Sequence, residues 1–138
     1  MKQPKRGQYR SAFEFNLATK LYEAGIDFQY EPYQLKYELP MNNSYCAECE
    51  CKEIYSTRKY VPDFILPNGL VIEAKGEFTS QNRKKMLAII ESNPDLDIRM
   101  VFMRDNYLSK KHANKYSDWC ERNGVTYAVG DIPEEWTK

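Results

Sequence analysis

Apolar residues at spacings of three and four (Phe13, Leu17, Leu21 and Ala24) follow Ser11. That period lines one face of a helix, with Ser11 as its N-cap and Gly25 as its stop. From Phe28 to Leu39 the period shortens to two. Phe28 and Tyr30, then Tyr33, Leu35, Tyr37 and Leu39, alternate with polar residues, which predicts a strand with a bulge or break at Pro32. Residues 40–56 carry neither period and read as an insertion or long loop. Strand character returns over Lys59–Leu66. Pro67-Asn68-Gly69 is a turn signal, and Leu70–Lys75 is the returning strand, ended by Gly76. A helix is predicted over Ser80–Ser92, with Met86, Ile89 and Ile90 on its buried face. The nearly continuous apolar run in Asp97–Met103 suits a strand buried inside a sheet. A short helix at Lys115–Arg122, stopped by Asn123-Gly124, and a last strand at Val125–Val129 complete the order. The pattern defines an α/β fold: a mixed central sheet flanked by helices.

A chain of 138 residues has the length of one domain. Its 42% hydrophobic and 29% charged residues exclude a disordered chain. Aromatic content is 14%, with 11 tyrosines, which suits a core as well as it suits stacking on a partner. No apolar run reaches the length of a membrane span or a signal peptide, so a cytoplasmic protein without a membrane partner is expected. Net charge is zero and the pI is near 6.6, which argues against a protein that coats nucleic acid indiscriminately. The charge is nevertheless uneven. Lys2, Lys5, Arg6 and Arg10 precede the first acid, Glu14, so residues 1–10 read as a basic arm. Arg83, Lys84 and Lys85 form a second basic cluster, and Lys110, Lys111 and Lys115 a third. Such patches on a neutral chain suit DNA binding by a protein that must also hold carboxylates. Solvated surface is the commoner fate of a short basic run.

The chemistry concentrates in Val61–Lys75. Asn68 is the midpoint between Asp63 and Glu73. A hairpin centred there sets the two acids nearly opposite on paired strands, with Cβ atoms about 5 Å apart. Lys75 lies two residues beyond Glu73 and shares its face. Elsewhere such acids would be ordinary strand-start and surface residues. Here Val61, Phe64, Ile65, Leu70, Val71 and Ile72 make both strands apolar on both faces, as interior strands are, and charges on interior strands need a reason. Opposed carboxylates destabilise a hairpin unless they are neutralised. A divalent cation does this, and oxygen ligands suit Mg²⁺ or Mn²⁺. Such an ion lowers the pKa of a bound water and stabilises charge on a phosphate. Lys75 would orient or deprotonate that water, or stabilise the developing charge.

Pro62-Asp63 followed by Glu73-Ala74-Lys75 matches the PD-(D/E)XK nuclease motif, which is short and degenerate alone. The longer match is more specific. It comprises Tyr60-Val61-Pro62-Asp63-Phe64, Leu66-Pro67-Asn68-Gly69, Glu73-Ala74-Lys75-Gly76, Arg83-Lys84-Lys85, Pro94-Asp95-Leu96-Asp97-Ile98-Arg99 and Val101-Phe102. Arg10-Ser11, Glu14, Ile132-Pro133 and Glu135-Trp136 extend it. The set resembles the bacteriophage endonuclease I family of Holliday-junction resolvases over roughly residues 9–137, outside the cysteine-bearing stretch. The resemblance implies a PD-(D/E)XK nuclease-like core and two-metal hydrolysis of phosphodiesters at branched DNA. It implies an intertwined, domain-swapped homodimer, each site combining the N-terminal helix of one chain with the hairpin of the other. It makes Asp63 and Glu73 metal ligands, joined by the Ala74 backbone carbonyl, and Lys75 the catalytic lysine. Glu14 becomes a catalytic helix acid, although Ser11-Ala12-Phe13-Glu14 is also a capping box, which accounts for Glu14 without catalysis. A phage-encoded protein of this kind would work in the host cytoplasm.

Contacts to the DNA backbone are expected from Arg83, Lys84 and Lys85 after the motif, from Lys5 and Arg6 in the arm, and from Arg10 and Ser11 at a helix N-terminus, where phosphates bind readily. Cys46, Cys49 and Cys51 supply three of the four ligands a structural Zn²⁺ takes, which leaves a zinc site needing a distant or partner ligand; free thiols in a loop are the alternative. Cys120 reads as core and His112 as surface. The expectation is one endonuclease domain over residues 1–138, with residues 40–56 as a cysteine-bearing insertion. Two other functions fit the same residues: a nuclease or nickase for single-stranded, nicked or mismatched DNA, and a non-catalytic DNA-binding module. The intact Asp63, Glu73 and Lys75 speak against the second.

Overall fold

The computed structural model describes residues 2–40 and 55–138. Helix α1 (Ala12–Glu23) begins where Ser11 Oγ accepts the Glu14 N–H at 3.1 Å, a cap that satisfies one of the unpaired donors of the first turn. Leu17, Ala18 and Leu21 form its buried stripe. The period-two segment is two strands and not the single long one expected: β1 (Gln29–Tyr30) and β2 (Leu35–Pro40). They part at Glu31–Gln34, where Pro32 has no N–H for a ladder. The expected Lys59–Leu66 strand divides likewise, at Val61-Pro62-Asp63, into β3 (Tyr55–Tyr60) and β4 (Phe64–Ile65). The halves then pair separately. β2 and β3 form a two-stranded antiparallel sheet with Leu35 opposite Tyr60, while β1 pairs antiparallel with β4. Pro40, Tyr55 and Ser56, placed in the expected insertion, belong to that small sheet.

Strand β5 (Val71–Lys75) returns antiparallel to β4 with Phe64 opposite Ile72 and Ile65 opposite Val71. This register centres on Asn68 and, carried one step further, brings Asp63 level with Glu73. The turn demands its residues: Gly69 has φ +91°, a conformation open to glycine, and the Asn68 side-chain oxygen accepts the Leu70 N–H at 3.1 Å. Strand β6 (Ile98–Phe102) runs parallel to β5, and β7 (Tyr127–Val129) parallel to β6. Parallel neighbours need crossovers, and α2 (Ser80–Ser92) and α3 (Tyr116–Arg122) provide them. The main sheet is therefore mixed, in the order β1-β4-β5-β6-β7.

Adjacent residues of β5 face opposite cores, as a strand's alternation requires. Val71 joins Phe78, Met86, Ile89, Phe102 and Trp119 on the side of α2, α3 and the small sheet. Ile72 joins Leu17, Leu21, Phe64, Val101 and Trp136 on the side of α1. Burial on both faces explains the continuous apolar runs of β5 and β6. Two 3₁₀ turns, Arg6–Gln8 and Glu134–Thr137, were too short to leave a periodic signal. The first belongs to the basic arm, whose described part is docked: Pro4 is buried, and the Tyr9 ring lies 4.5 Å from that of Tyr30. No helix among the described residues is long and apolar enough to cross a membrane.

Candidate active site

Among the described residues, three charged side chains are buried: Glu14, Asp63 and Glu73, at 6%, 9% and 5% exposure. Burying a charge costs several kcal/mol unless it is compensated, so their placement is informative. They come from α1, the β3–β4 link and β5, and all three line one cavity of about 500 Å³, together with Arg10, Ser11, Lys75 and Lys85.

Asp63 is fixed across the hairpin, its Oδ2 accepting the Ala74 N–H at 2.8 Å. Burial raises its pKa to about 9; the Glu73 and Glu14 charges push the same way, and the Ala74 N–H and Lys75 pull against them. Burial also raises the pKa of Glu73, opposed by Lys75, the Tyr60 hydroxyl and Lys85. Both Glu73 oxygens are held: Tyr60 at the end of β3 donates to Oε2, and Lys75 Nζ lies 3.4 Å from Oε1. Glu14 is held as firmly. The Ser11 hydroxyl donates to its Oε2 at 2.9 Å, and the Tyr30 hydroxyl to its Oε1 at 3.3 Å. A reciprocal capping box would turn the Glu14 carboxylate back to the Ser11 N–H. Here it takes the hydroxyl instead and keeps an oxygen within 4.8 Å of oxygens on Asp63 and Glu31.

Glu31, Tyr30, Tyr60, Lys59 and Asn82 were not anticipated as site residues. Glu31 sits in the break between β1 and β2 with φ +48°, its N–H bonded to the Asp63 carbonyl at 3.0 Å and its carboxylate 2.7 Å from Arg10 Nε. A positive φ at a non-glycine residue marks such a position in a structure; nothing in the spacing of the sequence does. Tyr60 ends the mostly polar strand β3, and a tyrosine there reads as core. Lys59, Val61, Ala74, Gly76, Glu77 and Asn82 complete the lining.

Three carboxylates with oxygens so close, beside a fourth on Glu73, form an all-oxygen donor set. The residues fit a divalent cation such as Mg²⁺ or Mn²⁺. Of the expected DNA contacts, Arg10, Ser11 and Lys85 line the cavity. Arg83 lies at the same end of α2 but donates to the Phe78 carbonyl at 2.6 Å. Lys84, Lys5 and Arg6 are exposed and do not line it. Cys46, Cys49 and Cys51, and with them the zinc reading, lie outside the described residues. Cys120 is a core thiol whose pKa burial raises to about 12, and His112 is on the surface. Within one chain α1 already brings Glu14 to Asp63; the two-chain site that the resemblance implies would make the same contact between chains.

Comparison with known proteins shows the family. The chain is 38% identical over 135 residues to Endonuclease I of Escherichia phage T7, covering 97% of this chain and 81% of that protein. It is also 38% identical over 126 residues to Endodeoxyribonuclease 1 of Enterobacteria phage T3, covering 91% and 74%. The family model described as phage endonuclease I matches residues 1–138. With matches of this length and identity around a site built from its buried acids, the chain belongs to the phage endonuclease I family.

Proposed function

We propose that this chain is a divalent-metal-dependent DNA endonuclease that hydrolyses phosphodiesters at branched DNA, the four-way Holliday junction above all. The observation that carries the reading is the convergence of every buried charge among the described residues on one cavity beside Lys75. Membership of a family whose members are named endonucleases supports the reaction class. Asp63 and Glu73 would hold one Mg²⁺ or Mn²⁺, with the Ala74 carbonyl; Asp63, Glu14 and Glu31 offer oxygens for a second. Bound cations would supply the charge that activates water and stabilises the phosphate in the transition state. The chain's own groups prepare that chemistry. Tyr60 fixes the Glu73 carboxylate, Ser11 and Tyr30 fix Glu14, and the Ala74 N–H fixes Asp63, so these three side chains are held in place before binding. Lys75, partly buried beside Glu73, is placed to meet the reacting phosphate or its attacking water. Arg10, Ser11 and Lys85 at the rim would position the backbone, as Arg83, Lys84, Lys5 and Arg6 would further out.

A homodimer with composite sites is part of the proposal, because a four-way junction is two-fold symmetric and needs paired cuts. The contacts between α1–β1 and β4–β5 serve equally within a chain or between two exchanging chains. The experiment is a comparison of a synthetic four-way junction with linear duplex and single strand, in Mg²⁺ and in EDTA. Cleavage of the junction in Mg²⁺ alone is expected. Equal or faster cleavage of single-stranded or nicked DNA would replace the branch-selective reading, and binding without cleavage would leave only a DNA-binding module.

A further inference from the structure

Between β6 and α3 the chain makes a lobe, residues 104–115, that the active-site argument does not use. Both ends are rooted at the exit of the catalytic strand. The Met103 N–H donates to the Lys75 carbonyl at 3.0 Å, and the Tyr116 hydroxyl accepts the Phe78 N–H at 3.2 Å. The lobe is therefore anchored at backbone adjoining Lys75, Gly76 and Glu77, which line the cavity.

It is also built. Tyr107 and Lys115 form an antiparallel bridge, Leu108 N–H donates to the Asn114 carbonyl at 2.7 Å, and His112 N–H to the Ser109 carbonyl at 3.2 Å. The His112 ring stacks on Tyr107 with centroids 4.5 Å apart and planes 25° from parallel. At the tip stand Lys110 and Lys111, both exposed. Among the described residues no acid comes within ion-pair distance of Arg104, Lys110, Lys111 or Lys115. The acid nearest the tip in sequence, Asp105, is turned inward onto the Ser117 N–H and hydroxyl at 2.9 and 2.6 Å, and Asp118 accepts the Lys115 N–H at 2.8 Å. A neutral protein thus keeps a basic tip without an ion-pair partner among the described residues, on a hydrogen-bonded lobe anchored beside its cavity.

We propose that this lobe is a DNA-backbone clamp, seating Lys110 and Lys111 on phosphates of the duplex arm that leaves the cleaved bond. The proposal rests on the DNA-endonuclease reading above. Charge complementarity selects the occupant: phosphate is the polyanion this protein meets beside that cavity. The stacked Tyr107 and His112 hold the tip in place, so little side-chain-bearing backbone needs ordering on contact.

The test is the salt dependence of binding to a four-way junction in EDTA, where cleavage does not interfere. Each phosphate contact adds about 0.9 to the slope of log affinity against log salt. Lys110→Ala/Lys111→Ala should lower that slope by about 2, so that between 50 and 200 mM salt wild type loses roughly tenfold more affinity than the variant. Lys110→Arg/Lys111→Arg should keep the wild-type slope. At saturating DNA in Mg²⁺ the alanine variant should retain the wild-type kcat, its defect lying in KM. An unchanged slope with an intact melting curve, or a kcat loss matching the affinity loss, overturns the clamp. Failure of wild type to bind the junction would instead sink the function on which the clamp depends.

Discussion

Asp63 carries the most opposed forces of any residue in the site, and its titration exposes them. Folded and without metal, it keeps its proton up to about pH 9, whereas the ordinary value is 3.8. The folded state therefore binds the extra proton across that window. This carboxyl's contribution to stability is fully present below pH 3.8 and is lost as pH rises through about 9. In EDTA, Asp63→Asn should gain melting temperature relative to wild type as pH is raised; a difference that does not change with pH would refute the burial described here. Metal must displace the same proton, so Mn²⁺ affinity measured by calorimetry should rise with pH and release protons on binding. Asp63→Ala and Glu73→Ala should abolish cleavage yet bind DNA in EDTA as well as wild type, because neither carboxyl donates to phosphate and both act through the metal. Lys75→Ala should cost far more in kcat than in affinity, since one lysine adds a single phosphate contact but acts here on the transition state. Proportional losses in rate and affinity would make Lys75 a binding residue.

At the scale of elements, α1 is both a packing unit and a ligand carrier. Ser11→Ala removes the N-cap, costing about 1 kcal/mol, and also removes the hydroxyl that holds Glu14; Ser11→Thr should restore both. Activity that falls no further than the melting temperature accounts for would leave Ser11 a cap only. The helix itself, its cap and its stop were legible in the sequence because they depend on neighbours three or four residues away. The β4–β5 turn was legible for the same reason: Pro67-Asn68-Gly69 sets its own register and hence that of Asp63 and Glu73. Strand partners were not. Period two says that Phe28–Leu39 is extended, but not that its halves join different sheets. Glu31 and Tyr60 were hidden by the same ignorance, since each meets the site through a pairing that no local pattern encodes. Charge patterning, too, pointed at Arg83 and Lys84 without telling a carbonyl-bound side chain from an exposed one.

For the whole molecule the open element is the link between α1–β1 and the rest. Mixing Glu14→Ala with Asp63→Ala protein, under conditions that exchange subunits, tests it. With composite sites a heterodimer regains one intact centre and nicks DNA while each parent stays inactive. Proven exchange with no recovered nicking would place Glu14 and Asp63 in the same chain, as the single chain described here has them. The order in which the sheet is laid down carries a separate consequence. Glu73 stands on an interior strand whose parallel neighbour, β6, lies after it in sequence. Until residues 98–102 have left the ribosome, β5 has an open flank and Glu73 no buried strand to stand on. A nascent chain is thus catalytically silent until β6 has emerged, and DNA near the translation machinery meets this nuclease only after that strand has closed the flank of β5.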